Sequence, residues 1–513
     1  VNLAQKLDAL ADRLRELLSL PTVVWGVAAS ILLSRLTTTP TPDPDLFARV
    51  AMGRLVIANN HVPLTDPFAF TPTLPKWIDH EWLSGLIFYV FSQGLGDAGL
   101  VLLKLLLMVI TVSCIVALFF QSGSSTPSAS LWLVLCLLHS SAAWASTIRC
   151  QAFTYLFLPL LYLIVQDYRI SGRRLFLSLS PILAIAWVNM HGGYTLGVIT
   201  LIALTFTSQR GRLLPAVVLG GWCLAPAFTP YGFAVFSKYL VHALHMERPS
   251  ITEWFPLWSD PSTLAATISL VLPVIIGTFV FQGPRDLFSL SMIALSGYCA
   301  IQHIRFVPFL MLTVAAFGKP YFQAGLGAVG LHLGRLPLKL SRATALGLVL
   351  VACTLGASAT GKLVSGTAFR FSYTSTPFAA IEWLRASALT GNLLVDFNNG
   401  SLALWRLYPR FKISVDGRYE EAYPEQTLLD TQRAFLPDTP EGAKALARLN
   451  PNFILLPKQL APAGFSNTFK APWRVIYQDS VAAILTRQNL DMAPTTVLHD
   501  EATGPQDPWG PLF

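Results

Sequence analysis

Apolar residues run through the first two-thirds of the chain in stretches of about 15–22, each long enough for a helix to cross a hydrocarbon core. They predict spans near 22–37, 98–120, 129–147, 151–167, 174–189, 193–208, 213–231, 262–282, 286–301, 305–318 and 343–360, about eleven in all. One long polar stretch interrupts them, Pro40 to Trp82: PTPDPDLFARVAMGRLVIANNHVPLTDPFAFTPTLPKWIDHEW. It carries Asp43, Asp45, Asp66, Asp79 and Glu81, with His61 and His80, and forms most of a loop over 38–97. Long loops between spans usually have a task. Within the loop, Leu83–Phe91 is apolar but too short to span, and is expected to be an interfacial helix. Ahead of the first span, Leu3, Leu7, Leu10, Leu14, Leu17 and Leu18 recur at helical spacing with charges opposite. This predicts an amphipathic juxtamembrane helix within 1–21. It shows no cleavage-site pattern of a signal peptide.

Beyond residue 360 the texture becomes mixed. Ala379–Ala388, Pro424–Leu436 and Glu441–Arg448 read as helices. Asn392–Phe397, Phe411–Val415, Phe453–Leu456, Trp473–Tyr477 and Val481–Thr486 read as strands. The alternation predicts a small α/β domain over 375–490, followed by a flexible tail over 491–513. The expected fold is an α-helical polytopic membrane protein with a small C-terminal α/β domain.

Composition strengthens the membrane reading. Of the 513 residues 53% are hydrophobic and 12% charged, about half the charge of a soluble protein. The net charge of +8 does not indicate nucleic acid, because the basic residues are spread over short loops. With the N-terminus cytoplasmic, Arg169, Arg173, Arg174, Arg210, Arg212, Arg285, Lys319, Arg335, Lys339 and Arg342 fall on the cytoplasmic side. The acid-bearing loop, the 232–261 loop and the C-terminal residues then lie on the other. Cysteines 114, 136, 150, 223, 299 and 353 lie in or beside apolar runs at no metal-site or disulfide spacing. No internal repeat of the transporter kind is evident.

Ionisable residues at span ends carry the candidate chemistry, because charge is expensive near lipid. Arg149, Asn189 and His191 in WVNMHGGY, and His303 and Arg305 in AIQHIRF, lie in three short turns on the side of the acid-bearing loop. The positive-inside rule predicts few arginines there. These turns suggest a cationic, hydrogen-bonding pocket facing an acidic loop, a chemistry suited to transfer from a lipid-linked phosphate. A loop carboxylate would take the acceptor's proton. Each residue also has a structural reading. Asp45 suits the N-cap of the following helix, Asp66 a turn before Pro67, and His80 and Glu81 an interfacial anchor between Trp77 and Trp82. Lys238, His242, His245, Glu247, Arg248 and Glu253 suit either a solvated loop or a headgroup contact. In Val415–Glu420 (VDGRYE), Asp416–Gly417 suits a turn and Arg418 could pair with Glu420; alternatively Arg418, Tyr419 and Glu420 reach toward the membrane site or bind acceptor.

The order of these pieces over about 20–320 resembles the GT-C superfamily of membrane glycosyltransferases, nearest the bacterial protein-mannosyltransferase and lipid-A-glycosyltransferase-like members. The resemblance rests on the acidic pair Asp43 and Asp45, then VPLTDPFAFT, WIDHEW, WVNMHGGY, ITEWFPLW and IRFVPF. It implies a GT-C-like transmembrane domain over 22–360 that moves a sugar from a polyprenyl-phosphate donor to a lipid, glycan or protein acceptor. The site would lie at the outer face of the bacterial inner membrane. It casts Asp45, Asp43 or Glu81 as catalytic. Arg149, Asn189, His191, His303, Arg305, His80 and Glu253 would bind substrate. Some members need a divalent metal and others do not, so the resemblance leaves that cofactor open. A flippase of lipid-linked sugars and a non-catalytic scaffold presenting the C-terminal domain are the competing classes.

Overall fold

The computed structural model describes residues 43–123, 127–144, 147–235, 251–330, 376–462, 464–487 and 495–496, with 31 and 35. The expected juxtamembrane helix, nearly all of the first span, the 343–360 span, residues 236–250 and most of the tail lie outside them. The chain divides into two compact units. One takes in 101–228 and 245–367, the other 41–100, 229–244 and 368–513.

The first unit is helical. It comprises residues of α2 (Trp82–Gln121) from 101 onward, then α3 (Pro127–Trp144), α4 (Gln151–Ser171), α5 (Leu175–Val188), α6 (Tyr194–Thr207) and α7 (Leu213–Leu224). After the described gap come α8 (Pro261–Val280), α9 (Leu287–Gln302), α10 (Val307–Phe317) and α11 (Lys319–Ala328). Among the described residues, α2 and α8 are long and apolar enough to cross a membrane, and six helices are shorter and apolar. Lys319–Ala328 has no counterpart in the predicted elements. Its proline and two interior glycines mask a helix that α8 covers on one side. Polar side chains inside the bundle are bonded across helices, as apolar surroundings require. Trp132 Nε1 donates to Leu270 O at 2.9 Å, and Tyr162 Oη and Thr313 Oγ1 lie 3.0 Å apart.

Two groups of turns gather in this unit. Arg210 donates to the carbonyls of Arg169 and Ile170, and Arg169 pairs with Asp286, the N-cap of α9. Arg149, Glu253 and Arg305 form the second group.

The second unit combines the polar stretch with the C-terminal residues. It begins with α1 (Pro44–Asn59) and the part of α2 before residue 101. The apolar patch expected to stand alone is the first part of α2, which breaks at Gly96 (φ 60°, ψ −146°). There follow α12 (Phe378–Ala386), β1 (Gly391–Leu394), α13 (Phe397–Leu407), β2 (Phe411–Ile413), α14 (Glu425–Ala434) and α15 (Pro440–Leu449). Then come β3 (Phe453–Pro457), α16 (Phe465–Thr468), β4 (Arg474–Gln478), β5 (Ala482–Thr486) and β6 (Thr495–Thr496). The sheet order is β2-β1-β3-β5-β4-β6. Strands β2, β1 and β3 run parallel, and β5 pairs antiparallel with β3 and β4. Leu394, Ile454, Leu456, Ala483 and Leu485 pack with Ala434, Phe435, Ala445 and Leu449 of α14 and α15 on one face. The alternate residues Leu393, Leu455 and Ile484 are also fully buried, so both faces of this mixed sheet are covered at its centre, as its parallel strands require.

Candidate functional site

In the second unit, the acidic pair opens α1. The side chain of Asp43 accepts from Asp45 N at 3.0 Å, and Pro44 takes the first helical position. The cap is therefore Asp43, not Asp45. A cap needs the extended backbone that Asp43 has (φ −69°, ψ 138°), and Asp45 already lies in the first helical turn. Its carboxylate instead lies against Gly417 of VDGRYE, where a Cβ would meet Asp45 Oδ1 at 2.0 Å. Only glycine allows that approach. Ser401 Oγ accepts from Gly417 N at 3.1 Å and holds the turn.

One turn beyond Asp45, Arg49 is buried and gathers three carboxylates. Its Nη1 lies 2.6 Å from Asp79 Oδ1; its Nη2 lies 2.7 Å from Glu81 Oε2 and 3.1 Å from Glu421 Oε2. His80 sits between two of these acids, with Nε2 3.4 Å from Glu81 Oε1 and Nδ1 3.3 Å from Glu421 Oε1. Burial pushes Glu421 up to about 7, against the pull of Arg49 and His80. Burial pulls His80 down, but the charges of Glu421 and Glu81 outweigh it and its pKa is raised. His80 and Glu81 are thus a buried charge cluster and not an interfacial anchor. Trp77 is likewise fully buried, 4.6 Å beneath the Arg418 guanidinium.

The expected pairing of Arg418 with Glu420 lies outside the described residues, because the Glu420 side chain is not among them. Arg418 donates to both oxygens of Asp416, to Asp66 Oδ1 at 2.5 Å and to Tyr423 Oη at 3.0 Å. Asp66 also accepts from Phe68 N and Ala69 N, the turn role its position before Pro67 predicts. Arg49 and Glu421 carried no site signal in sequence. Arg49 and Glu421 are 372 residues apart, and no local spacing links them.

Asp79, His80 and Glu421 each offer one ligand atom, all within 4.8 Å of one another. Asp79 Oδ2 is buried without a hydrogen-bond partner among the described residues. Two carboxylates and an imidazole are a donor set that fits a small divalent cation. Arg49 already holds an oxygen of Asp79 and of Glu421, which would orient both toward such an ion.

In the first unit, Arg149 Nη1 lies 2.8 Å from Glu253 Oε2 and Arg305 Nη1 lies 3.6 Å from Glu253 Oε1. Glu253 belongs to a 3₁₀ turn, Thr252–Trp254, and is therefore engaged, not loosely solvated. That turn is tied to Ile304–Phe306. Ile304 N donates to Phe255 O, His303 Nδ1 lies 2.6 Å from Trp254 O, and the Arg305 guanidinium lies 4.3 Å over the Trp254 ring. The segments ITEWF and HIRF thus form one piece with Arg149. His191 is fixed separately. Gly193 N donates to its Nδ1 at 2.9 Å, and Thr154 Oγ1, which accepts from Trp187 Nε1, lies 2.8 Å from the same atom. A neutral ring then carries its proton on Nε2. A Cβ on Gly193 would meet Thr154 Oγ1 at 2.3 Å, so that glycine serves packing. Asn189 Nδ2 donates to Ile185 O at 2.8 Å.

No protein-family model and no curated protein matches the chain. Solved structures do. Arabinofuranosyltransferase AftD from mycobacteria aligns at 12% identity and TM-score 0.48, over 91% of this chain and 40% of that one. This chain thus spans two-fifths of the AftD length. ArnT from Cupriavidus metallidurans, in its apo crystal structure, aligns at 12% identity and TM-score 0.51, over 91% of this chain and 98% of that one. Identity this low speaks to fold alone, and the fold is similar to that of ArnT.

Proposed function

We propose that the protein is a membrane glycosyltransferase that moves a sugar from a polyprenyl-phosphate donor to an acceptor at the outer face of the bacterial inner membrane. The observation that carries this reading is the convergence of Arg149 and Arg305 on the two oxygens of one carboxylate, Glu253. Two guanidinium groups spaced for one anion suit a phosphate, which departs with the lipid as the glycosidic bond breaks. His303, which precedes the Arg305 turn, and His191, held separately by Thr154 and Gly193, would add hydrogen bonds to the phosphate or sugar. Asp45 would accept the acceptor hydroxyl's proton, with Asp43 fixing the helix that carries it. Glu81 is tied to Arg49 and His80, so it would support the cluster. A divalent ion on Asp79, His80 and Glu421 would offset the charge of those buried acids when bound.

The test is sugar transfer in proteoliposomes loaded with radiolabelled polyprenyl-phosphate sugars and supplied with envelope acceptors. Asp45→Asn and Arg149→Ala should each lower transfer at least about 100-fold while leaving the melting temperature in place. Full transfer by purified Asp45→Asn would remove Asp45 from catalysis.

A further inference from the structure

Glu253 brings a negative charge to the arginines that the proposed donor phosphate needs. Its Oε2 lies 2.8 Å from Arg149 Nη1, and its Oε1 lies 3.6 Å from Arg305 Nη1. The first contact is a hydrogen bond; the second is an ion pair past hydrogen-bond range. All three side chains keep contact with solvent, at 32% exposure for Arg149, 29% for Glu253 and 19% for Arg305. A ligand can therefore reach them without opening the fold. The turn that carries Glu253 is also fastened to the segment that carries Arg305. Ile304 N donates to Phe255 O at 3.0 Å, His303 Nδ1 meets Trp254 O at 2.6 Å, and the Arg305 guanidinium covers the Trp254 ring. The acid thus stays beside the arginines when a ligand enters.

Two guanidinium groups and one carboxylate leave a single net positive charge. That count separates the two phosphates of the reaction. The donor is a phosphodiester with one negative charge. In transfer the bond from the anomeric carbon to the phosphate oxygen breaks, and its electron pair stays on that oxygen. The acceptor oxygen bonds to the anomeric carbon, and its proton passes to the base. The lipid is left as a phosphomonoester carrying roughly −1.5 to −2 at neutral pH. Attraction to a fixed site charge grows in proportion to the ligand's charge, whereas the cost of desolvating the ligand grows as its square. A site held at one positive charge balances the diester; a site at two would favour the monoester. We propose, on the phosphate role given above to Arg149 and Arg305, that Glu253 is a specificity-determining residue. It holds the site at one net positive charge, so that the site takes a lipid phosphodiester and sheds the phosphomonoester left after transfer.

The experiment measures binding of two soluble probes to the full chain in detergent at about pH 8. Farnesyl phosphate is doubly charged there, and farnesyl methyl phosphate is singly charged. Wild type should bind the methyl ester at least as tightly as farnesyl phosphate. Glu253→Gln should shift the preference toward farnesyl phosphate by about tenfold or more. Glu253→Asp, which keeps the charge, should behave as wild type, and Arg149→Ala should weaken both probes. If Arg149→Ala binds both as wild type does, the phosphate role itself fails, and the role of Glu253 with it. If Arg149→Ala weakens both but Glu253→Gln leaves the preference unchanged, the phosphate role stands and the proposal for Glu253 is overturned. Equal weakening of both probes in Glu253→Gln also overturns it, because the carboxylate then only holds the arginines in place. A wild-type preference for farnesyl phosphate overturns it as well, and this comparison decides even where Glu253→Gln fails to fold.

Discussion

At the scale of single residues, Asp45 and Arg49 show how one helix serves two purposes. Asp45 Oδ1 rests where a side chain on Gly417 would be. Gly417→Ala should therefore displace the carboxylate by an ångström or more without emptying the core. Misplacement on that scale costs about 100-fold in rate. The check is transfer activity against melting temperature: activity should collapse while melting shifts little. Arg49 is different, because it neutralises buried acids. Arg49→Gln leaves Asp79, Glu81 and Glu421 to repel one another, and removing one partner of a buried ion pair costs roughly 3–5 kcal/mol. Arg49→Lys should recover only part of this, since an ammonium cannot fork between Asp79 and the two glutamates. Denaturant titration of the three proteins measures both steps. Arg49→Lys as stable as wild type would show that the charge alone matters.

At the scale of elements, the cluster depends on a close crossing of α1 and α2. A Cβ on Gly53 would meet Gly85 O at 2.3 Å, and one on Gly85 would meet Arg49 O at 2.4 Å. The two backbones touch, which sets Arg49 beside Glu81. Gly85→Val should force the helices apart, cost about 1–3 kcal/mol as overpacking does, and lower transfer through the displaced cluster. Normal stability with normal transfer would show that the crossing has slack. The same scale shows what the sequence made legible. Hydrophobic runs marked the helices of the first unit, and alternation marked five strands of the sheet. Helix α13 has no counterpart in the predicted elements: the strand reading of Asn392–Phe397 runs into its first residue, and Asn398, Asn399 and Gly400 give its first turn the look of a loop. In fact Asp396 ends that strand and caps the helix, accepting from Asn398 N. Asp43, Asp45, His80 and Glu81 could be picked out as chemistry-bearing residues, because charge amid apolar runs is conspicuous. Glu421 could not, because it meets Arg49 only through folding.

At the scale of the whole molecule, the polar stretch from the N-terminal third is built into the C-terminal sheet within one unit. Phe70 N donates to Ile413 O, Ile413 N to Phe68 O and Leu74 N to Ala422 O, while Thr71 Oγ1 donates to Ser414 O at 2.6 Å. The stretch thereby covers the β2 edge of the sheet, a position that would otherwise invite pairing with another chain. Arg418 locks the join, because it holds Asp66 from the stretch and Asp416 from the sheet side. Burial raises the Asp416 pKa, but Arg418 outweighs it and the net shift is downward. A depressed folded-state pKa means the pair's contribution is fully present above the unfolded value, roughly 3.9. It is lost as pH falls through the lower folded value. Arg418→Met strips both carboxylates of their partner, at about 3–5 kcal/mol. It should also remove the acid-dependent loss of stability that the pair causes. Hydrogen exchange across residues 66–78 reads the join directly. In wild type at neutral pH the Phe70 and Leu74 amides should exchange slowly. In Arg418→Met they should exchange much faster, ahead of amides in β3 and β5 at the sheet centre. Equal protection of both regions in the variant would mean that the backbone ladder holds the stretch without the arginine, and that Arg418 serves only to neutralise its two acids.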